Sequence, residues 1–188
     1  MYRNPMFFSV TSVFSVVYFF HLTLLALTEN MHIQYETPSP FHVALIEPEI
    51  PPNTGNIART CLATFTPLHL VGQLGFRTDR RAVMRAGLDY WYDAEIHYHR
   101  TLEDLKLKLP NSRFLFIETG APHEYTEFKY AAGDVLVLGR ETKGLPPEIL
   151  EKNRERCVYV PMPNPRVRSL NLATTAGVVL YEALRQIK

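Results

Sequence analysis

Residues 158–188, VYVPMPNPRVRSLNLATTAGVVLYEALRQIK, join a short apolar run to a long amphipathic segment. Val158 to Val160 are apolar. Prolines at 161, 163 and 165 then remove three backbone donors in succession, which predicts a rigid loop. A helix follows. Ser169 is placed to cap it, because its hydroxyl accepts a bond from an otherwise orphan backbone N–H. Leu172, Ala173, Ala176, Leu180, Ala183, Leu184 and Ile187 recur at helical spacing and define one buried stripe. Arg185 and Lys188 fall in the last turn, where cations suit the helix dipole. Arg166 and Arg168 lie at the wrong end for that rule, just before the positive N-terminus. Either both splay into solvent, or the helix start is a phosphate or carboxylate site.

Upstream, short apolar runs alternate with helical segments. His42 to Glu47 is a strand, and Pro48, Pro51 and Pro52 mark the loop after it. Asn53 or Thr54 is placed to cap a helix over about Gly55 to Phe65, with Ile57, Cys61 and Phe65 on its inner face. Arg59 falls roughly opposite Ile57 at 100° per residue, so it points to solvent or to a site. Leu68–Val71 and Ile96–His99 read as further strands, the second at a sheet edge. Leu102–Leu109 reads as a short helix, and Arg113–Ile117 as a strand. VLVL at 135–138 is a continuous apolar run of the kind that parallel sheets bury on both faces. The alternation predicts an α/β fold with a mainly parallel sheet flanked by helices. Ligands in such folds bind where loops leave the C-terminal ends of the strands. One such loop is GRETKGLPP, Gly139 to Pro147. Its glycines allow close backbone approach. It lacks the Lys-Ser/Thr that a phosphate-binding P-loop requires, and no G-x-G-x-x-G occurs in the chain.

Composition sets the bounds. The chain has 188 residues, 46% hydrophobic and 21% charged, enough for one domain with a full core. Net charge is +1, so any basic surface is local. The two cysteines, Cys61 and Cys157, form no CxxC pattern, which points to reduced thiols and a cytosolic setting. Residues 77–92, RTDRRAVMRAGLDYWY, set Arg77, Arg80 and Arg81 beside an aromatic cluster. That pattern serves either phosphate contact with base stacking or a charged amphipathic helix packed at its aromatic end. His97 and His99 share a strand face, but no Cys, Asp or Glu stands at the usual ligand spacing, so no metal is expected.

The first thirty residues differ from the rest. Met6 to Leu27 carries no Asp, Glu, Lys or Arg and is long enough to span a bilayer. Three readings stay open: a start at Met31, a membrane segment, or a targeting peptide without a clean cleavage site. The expected organisation is an apolar extension over 1–30 and one domain over 31–188.

PPNTGNIART (51–60), LVLGRETKGLP (136–146) and VPMPNPRVRSLNLATTAGVVLYEALRQ (160–186) together resemble the three motifs of the SpoU branch of SPOUT RNA methyltransferases. IEPEIPPNTGNIAR and RAGLDYW resemble more narrowly the YibK/TrmL-like tRNA 2′-O-methyltransferases. The likeness covers about Phe41 to Lys188 and has no counterpart for the first thirty residues. It implies an α/β sheet with a C-terminal trefoil knot, which no spacing argument would propose. It also implies a homodimer whose active site lies near the subunit interface, acting in the cytoplasm on the wobble nucleotide of a tRNA anticodon stem-loop, cytidine or modified uridine. The cofactor implied is S-adenosyl-L-methionine, held by Ile117, Gly139, Glu141, Val160 and Ser169. Arg59, Asn171 and Tyr181 match catalytic positions, with Arg59 acting on the ribose hydroxyl. Arg77, Arg80, Arg81, Arg166 and Arg168 are then the expected RNA contacts. A non-catalytic RNA-binding protein on the same fold is the alternative, which cofactor binding would separate.

Overall fold

The computed structural model describes residues 39–85, 88 and 90–187, so the apolar N-terminal segment lies outside the described residues. The strands are β1 (His42–Ile46), β2 (Leu68–Val71), β3 (Ile96–His99), β4 (Phe114–Ile117), β5 (His123–Glu124), β6 (Val135–Leu138) and β7 (Cys157–Tyr159). The helices are α1 (Pro51–Ala63), α2 (Arg80–Arg85), α3 (Leu102–Lys108), α4 (Pro147–Lys152) and α5 (Leu172–Gln186). The strands form one sheet in the order β3-β2-β1-β6-β4-β7-β5. Every pairing in it is parallel.

β1 and β6 lie side by side in the middle, with Val43 opposite both Leu68 of β2 and Leu136 of β6. Their apolar runs are continuous because both faces are covered. Val43, Leu45, Leu136 and Leu138 face a core shared with Ile57, Ala58 and Cys61 of α1 and with Ala176, Val179, Leu180 and Ala183 of α5. Ala44, Ile46, Val135 and Val137 face the other way, against Leu102 and Leu105 of α3 and against Leu145 and Cys157. Each fully buried Leu or Val contributes roughly 1.5–3 kcal/mol relative to its exposed state. Both cysteines are free and buried, and burial pushes the Cys61 thiol up to about 12.

Several local expectations are corrected. Helix α1 begins at Pro51, with Ile50 as its N-cap and no side-chain cap, so neither Asn53 nor Thr54 caps it. Of the three prolines that suggested a loop, Pro51 and Pro52 occupy the first helical turn, where a missing N–H costs nothing, and Pro48 lies before it. Phe65 is not on the helix: it is exposed, in the left-handed region at φ 52°. Ser169 does not cap α5 either. Asn171 does, its Oδ1 accepting from Ala173 N at 2.9 Å and Thr174 N at 3.2 Å. Val179 joins the buried stripe of α5, and Ile187 is exposed. Among the described residues of the arginine-rich stretch, Arg80–Arg85 is helical. Trp91 is buried edge-on to Phe76, while Tyr90 and Tyr92 are exposed. β5 was not expected at all. It is two residues long and carries no apolar run.

Candidate active site

A cleft of about 580 Å³ opens at the C-terminal ends of β4 and β6, within the size range of small-molecule sites. Its apolar lining comes from Ile117, Leu138, Val160, Met162, Leu170 and Leu172. Its rim is the loop from Gly139 to Gly144. A bridge closes that loop on itself, with Arg140 N donating to Gly144 O at 3.1 Å and Gly144 N donating to Arg140 O at 2.9 Å. A Cβ at Gly139 would overlap the backbone of Gly144 and Leu145, so only glycine permits this closure. Gly144 has a positive φ of 66°, and a Cβ there would overlap the Glu118 carboxylate.

Carboxylates pin the loop from outside. Glu118 accepts from Leu145 N at 2.8 Å. Glu49 accepts from Thr142 Oγ1 at 2.6 Å. Arg140 pairs with Glu47, which itself sits in the left-handed region at φ 47°. Glu141 reaches the start of α1, accepting from Glu49 N at 2.8 Å, Ile50 N at 3.1 Å and Asn53 Nδ2 at 3.2 Å. An anion there also suits the positive end of the α1 dipole. Asn53 Oδ1 accepts from Asn171 Nδ2 at 2.9 Å, and Asn171 in turn caps α5. One relay, Glu141–Asn53–Asn171, therefore joins three segments remote in sequence. Each amide is fixed in orientation, because its donor and its acceptor sides have different partners.

The residues expected to hold the cofactor are brought together. Ile117, Gly139, Glu141, Val160 and Ser169 all line this cleft, and so does Asn171. Glu141 spends its carboxylate on the protein's own backbone and Asn53. Asn53, Glu118 and Met162 line the same cleft without having been expected there. Asn53 stood in the first motif but was read as a helix cap, and Met162 stood in the third without being singled out; Glu118 gave no signal in the sequence.

Arg59 and Tyr181 are not in that group. Arg59 is exposed on α1, roughly 9 Å along the axis from Asn53. Its guanidinium carbon sits 4.6 Å from the centroid of the Tyr90 ring. Tyr181 is exposed on the outer face of α5. Arg166 and Arg168 are exposed in the loop before α5, and neither makes an ion pair among the described residues. At the start of α5 itself, the Asn171 side chain occupies two of the first free N–H groups. Arg80 and Arg81 are exposed on α2, while Arg77 is paired with Asp79 at 2.8 Å.

A second polar cluster lies away from the cleft. His42, His69 and His99 form a row across β1, β2 and β3, with ring nitrogens 3.0 Å and 2.9 Å apart, and His97 stacks on His69. Each link needs one proton between two imidazoles, so the row is built from neutral rings. Burial first, and then the neighbouring His42, His97 and His99, push the buried His69 down to about 3. Among the described residues, no group of three or more His, Cys, Asp or Glu side chains is arranged to hold a metal.

Residues 40–181 match the SpoU rRNA Methylase family, and the chain belongs to that family. Over 148 residues it is 49% identical to a Bacillus subtilis protein provisionally named a tRNA (cytidine(34)-2′-O)-methyltransferase, covering 77% of this chain and 92% of that one. A solved structure described as giving structural insights into the 2-OH methylation of C/U34 on tRNA matches with a TM-score of 0.73 at 40% identity. The match covers 79% of this chain and 98% of that one. An AdoMet-bound rRNA methyltransferase from Sinorhizobium meliloti matches with a TM-score of 0.68 at 27% identity, over 81% of this chain and 61% of that one. No helix among the described residues is long and apolar enough to cross a membrane.

Proposed function

We propose that this chain binds S-adenosyl-L-methionine in the cleft and methylates the ribose 2′-hydroxyl of the tRNA wobble nucleotide, cytidine or modified uridine. The observation that carries the reading is the convergence of Ile117, Gly139, Glu141, Val160, Ser169 and Asn171, drawn from separate segments, on one cleft at the strand ends. The cleft fits that cofactor in kind. Apolar side chains are there for a flat base, and the closed Gly139–Gly144 turn gives the cleft a fixed rim. When bound, the cofactor supplies a sulfonium-activated methyl group. The protein's part is to hold the acceptor oxygen in line and to stabilise its deprotonated form. A fixed guanidinium does the second through charge, and Arg59 is assigned that role; it holds its own proton too strongly to serve as the base.

Arg59 lies outside the cleft of its own chain. The reading is therefore that two copies form a homodimer and the acceptor ribose sits between the cleft of one and Arg59 of the other. The exposed Tyr181 of α5 belongs to that shared region. The loop before α5 is read as passing through the chain to make a trefoil knot, and residues 31–188 as the working domain, in the cytoplasm where tRNA is found. The test is methyl transfer to tRNA by the full chain and by a chain starting at Met31, with the modified nucleotide mapped. Equal transfer by both, confined to the 2′-oxygen of nucleotide 34, is expected. Cofactor bound by calorimetry with no transfer to any tRNA would leave an RNA-binding protein instead.

A further inference from the structure

Arg59 is long, exposed and without an ion-pair partner among the described residues, a poor start for a group that must stabilise charge at one point. An unheld arginine would spread over many rotamers. Something nearby holds it. Gly55 lies one helical turn before Arg59 on the same face of α1. A Cβ at Gly55 would overlap Leu88 Cδ2, so the glycine is a notch that receives Leu88. Leu88 is buried in the main core, and Trp91 N donates to Leu88 O at 3.1 Å, closing a turn. That turn delivers Tyr90 to Arg59, with the guanidinium carbon 4.6 Å from the ring centroid. Trp91, buried against Phe76, anchors the far side of the same turn.

We propose that Tyr90 is the positioning residue for Arg59, and that the Leu88–Trp91 turn exists to place it. The ring face offers a flat, electron-rich seat that restricts the guanidinium to one plane without consuming any of its N–H donors. A carboxylate partner would hold the arginine as firmly but would neutralise the charge that the developing alkoxide requires. The aromatic seat leaves charge and donors free for the substrate. The ring is 42% exposed, so it is an open platform rather than a core side chain, and packing alone does not explain it. This inference rests on the assignment of Arg59 to the ribose hydroxyl.

The experiment is single-turnover transfer to tRNA at saturating enzyme and cofactor, on Tyr90→Leu, Tyr90→Phe, Arg59→Ala and the Tyr90→Leu/Arg59→Ala double variant. Tyr90→Leu keeps bulk but loses the ring face. It is expected to slow transfer about ten-fold, less than the roughly hundred-fold that a 1 Å misplacement costs. Its melting midpoint and cofactor affinity should not change. Tyr90→Phe keeps the face and should return the rate to within about two-fold, as expected if the face of the ring and not its hydroxyl is the seat. Arg59→Ala alone should lose about two to three orders of magnitude, and adding Tyr90→Leu to it should cost nothing more. If Arg59→Ala is slow while Tyr90→Leu runs at the full rate, the positioning role is overturned and the catalytic assignment survives. An additive double variant overturns it as well, because Tyr90 would then act on the RNA independently. If Arg59→Ala itself reaches the full rate, the catalytic assignment falls and takes the positioning role with it.

Discussion

The cleft and the exposed arginines proposed to meet RNA differ in how their polar groups are bonded. In the cleft most polar side chains are already engaged with the protein: Glu118 and Glu141 hold backbone or side-chain donors, Thr142 is held by Glu49 from outside, and Asn53 accepts from Asn171. Arg80 and Arg81 on α2, and Arg166 and Arg168 before α5, are exposed and make no ion pairs among the described residues. A small ligand of fixed shape needs a preorganised site, because every rotamer frozen on binding lowers affinity. A polyanion with many equivalent phosphates needs charge in reach, and loses little if each charge is loosely held. The difference teaches where single substitutions will bite.

The sharpest break is Gly139→Val. The added side chain would overlap the backbone of Gly144 and Leu145, which cannot rotate out of the way. The bridge between Arg140 and Gly144 must open, and the rim moves with it. Cofactor binding measured by calorimetry is expected to disappear, while tRNA retention on a filter changes little. Unchanged cofactor affinity would put the binding site elsewhere.

Next in size is Glu141→Ala. It removes the acceptor of the half-buried Glu49 N and the exposed Ile50 N and frees Asn53, at roughly 1–2 kcal/mol in all, since water reaches these donors. For a domain of this size that is a drop of several degrees in melting midpoint, at about 2–4 °C per kcal/mol. Cofactor affinity should fall in parallel, since Asn171 loses its fixed neighbour. A variant that melts like the parent would show that the relay is not part of what holds the rim.

How much of this could be read from the chain follows from the range of each interaction. β1, β2 and β6 were legible because their largely apolar runs end at prolines, glycines or charged residues, a signal contained in a few neighbours. β5 was not, because a strand of His123 and Glu124 is defined only by the β7 edge beside it. The start of α5 was mistaken because Ser169 and Asn171 are both good caps, and only the fold decides which one the loop delivers to the helix. The cleft residues came from motif resemblance rather than local physics. The relay joins Glu141 to Asn53 across 88 positions and Asn53 to Asn171 across 118, and no pattern in the chain announces a bond of that range. The seating of Arg59 on Tyr90 was out of reach for the same reason.

Mild acid sharpens the comparison from a third region. His69 titrates at about 3 in the folded chain, well below the ordinary histidine value, with burial as the main cause. His42 and His99 are lowered as well, again mainly by burial. The unfolded chain takes up these protons near pH 6.5 and the folded chain does not. Stability is therefore full above that pH and falls as pH drops from about 6.5 towards 3, with a slope near 1.4 kcal/mol per pH unit for each proton involved. Urea unfolding at pH 7.0 and 5.5 should show the loss, and His69→Leu should flatten it. A flat parent profile would mean that the row opens and protonates without unfolding.

The smallest effects are expected at the exposed arginines on and before α2, and there the side chains separate. Arg80 and Arg81 have no ion-pair partner among the described residues, whereas Arg77 is matched by Asp79 at 2.8 Å. A phosphate contact from Arg77 must first compete with that carboxylate. Arg81→Ala or Arg80→Ala should each weaken tRNA binding a few-fold at moderate salt. Each should also flatten the slope of log affinity against log salt by about 0.7 to 0.9, the loss of one released counterion. Arg77→Ala should flatten it by less than half of that. None of the three should alter cofactor affinity, because none lines the cleft. Filter binding across a salt series is the measurement. Equal slopes for all three variants and the parent would remove α2 from the RNA surface. A loss for Arg77→Ala as large as for Arg81→Ala would show that the Asp79 pair gives way when RNA arrives, so that the pairing seen in the free chain does not rank these charges.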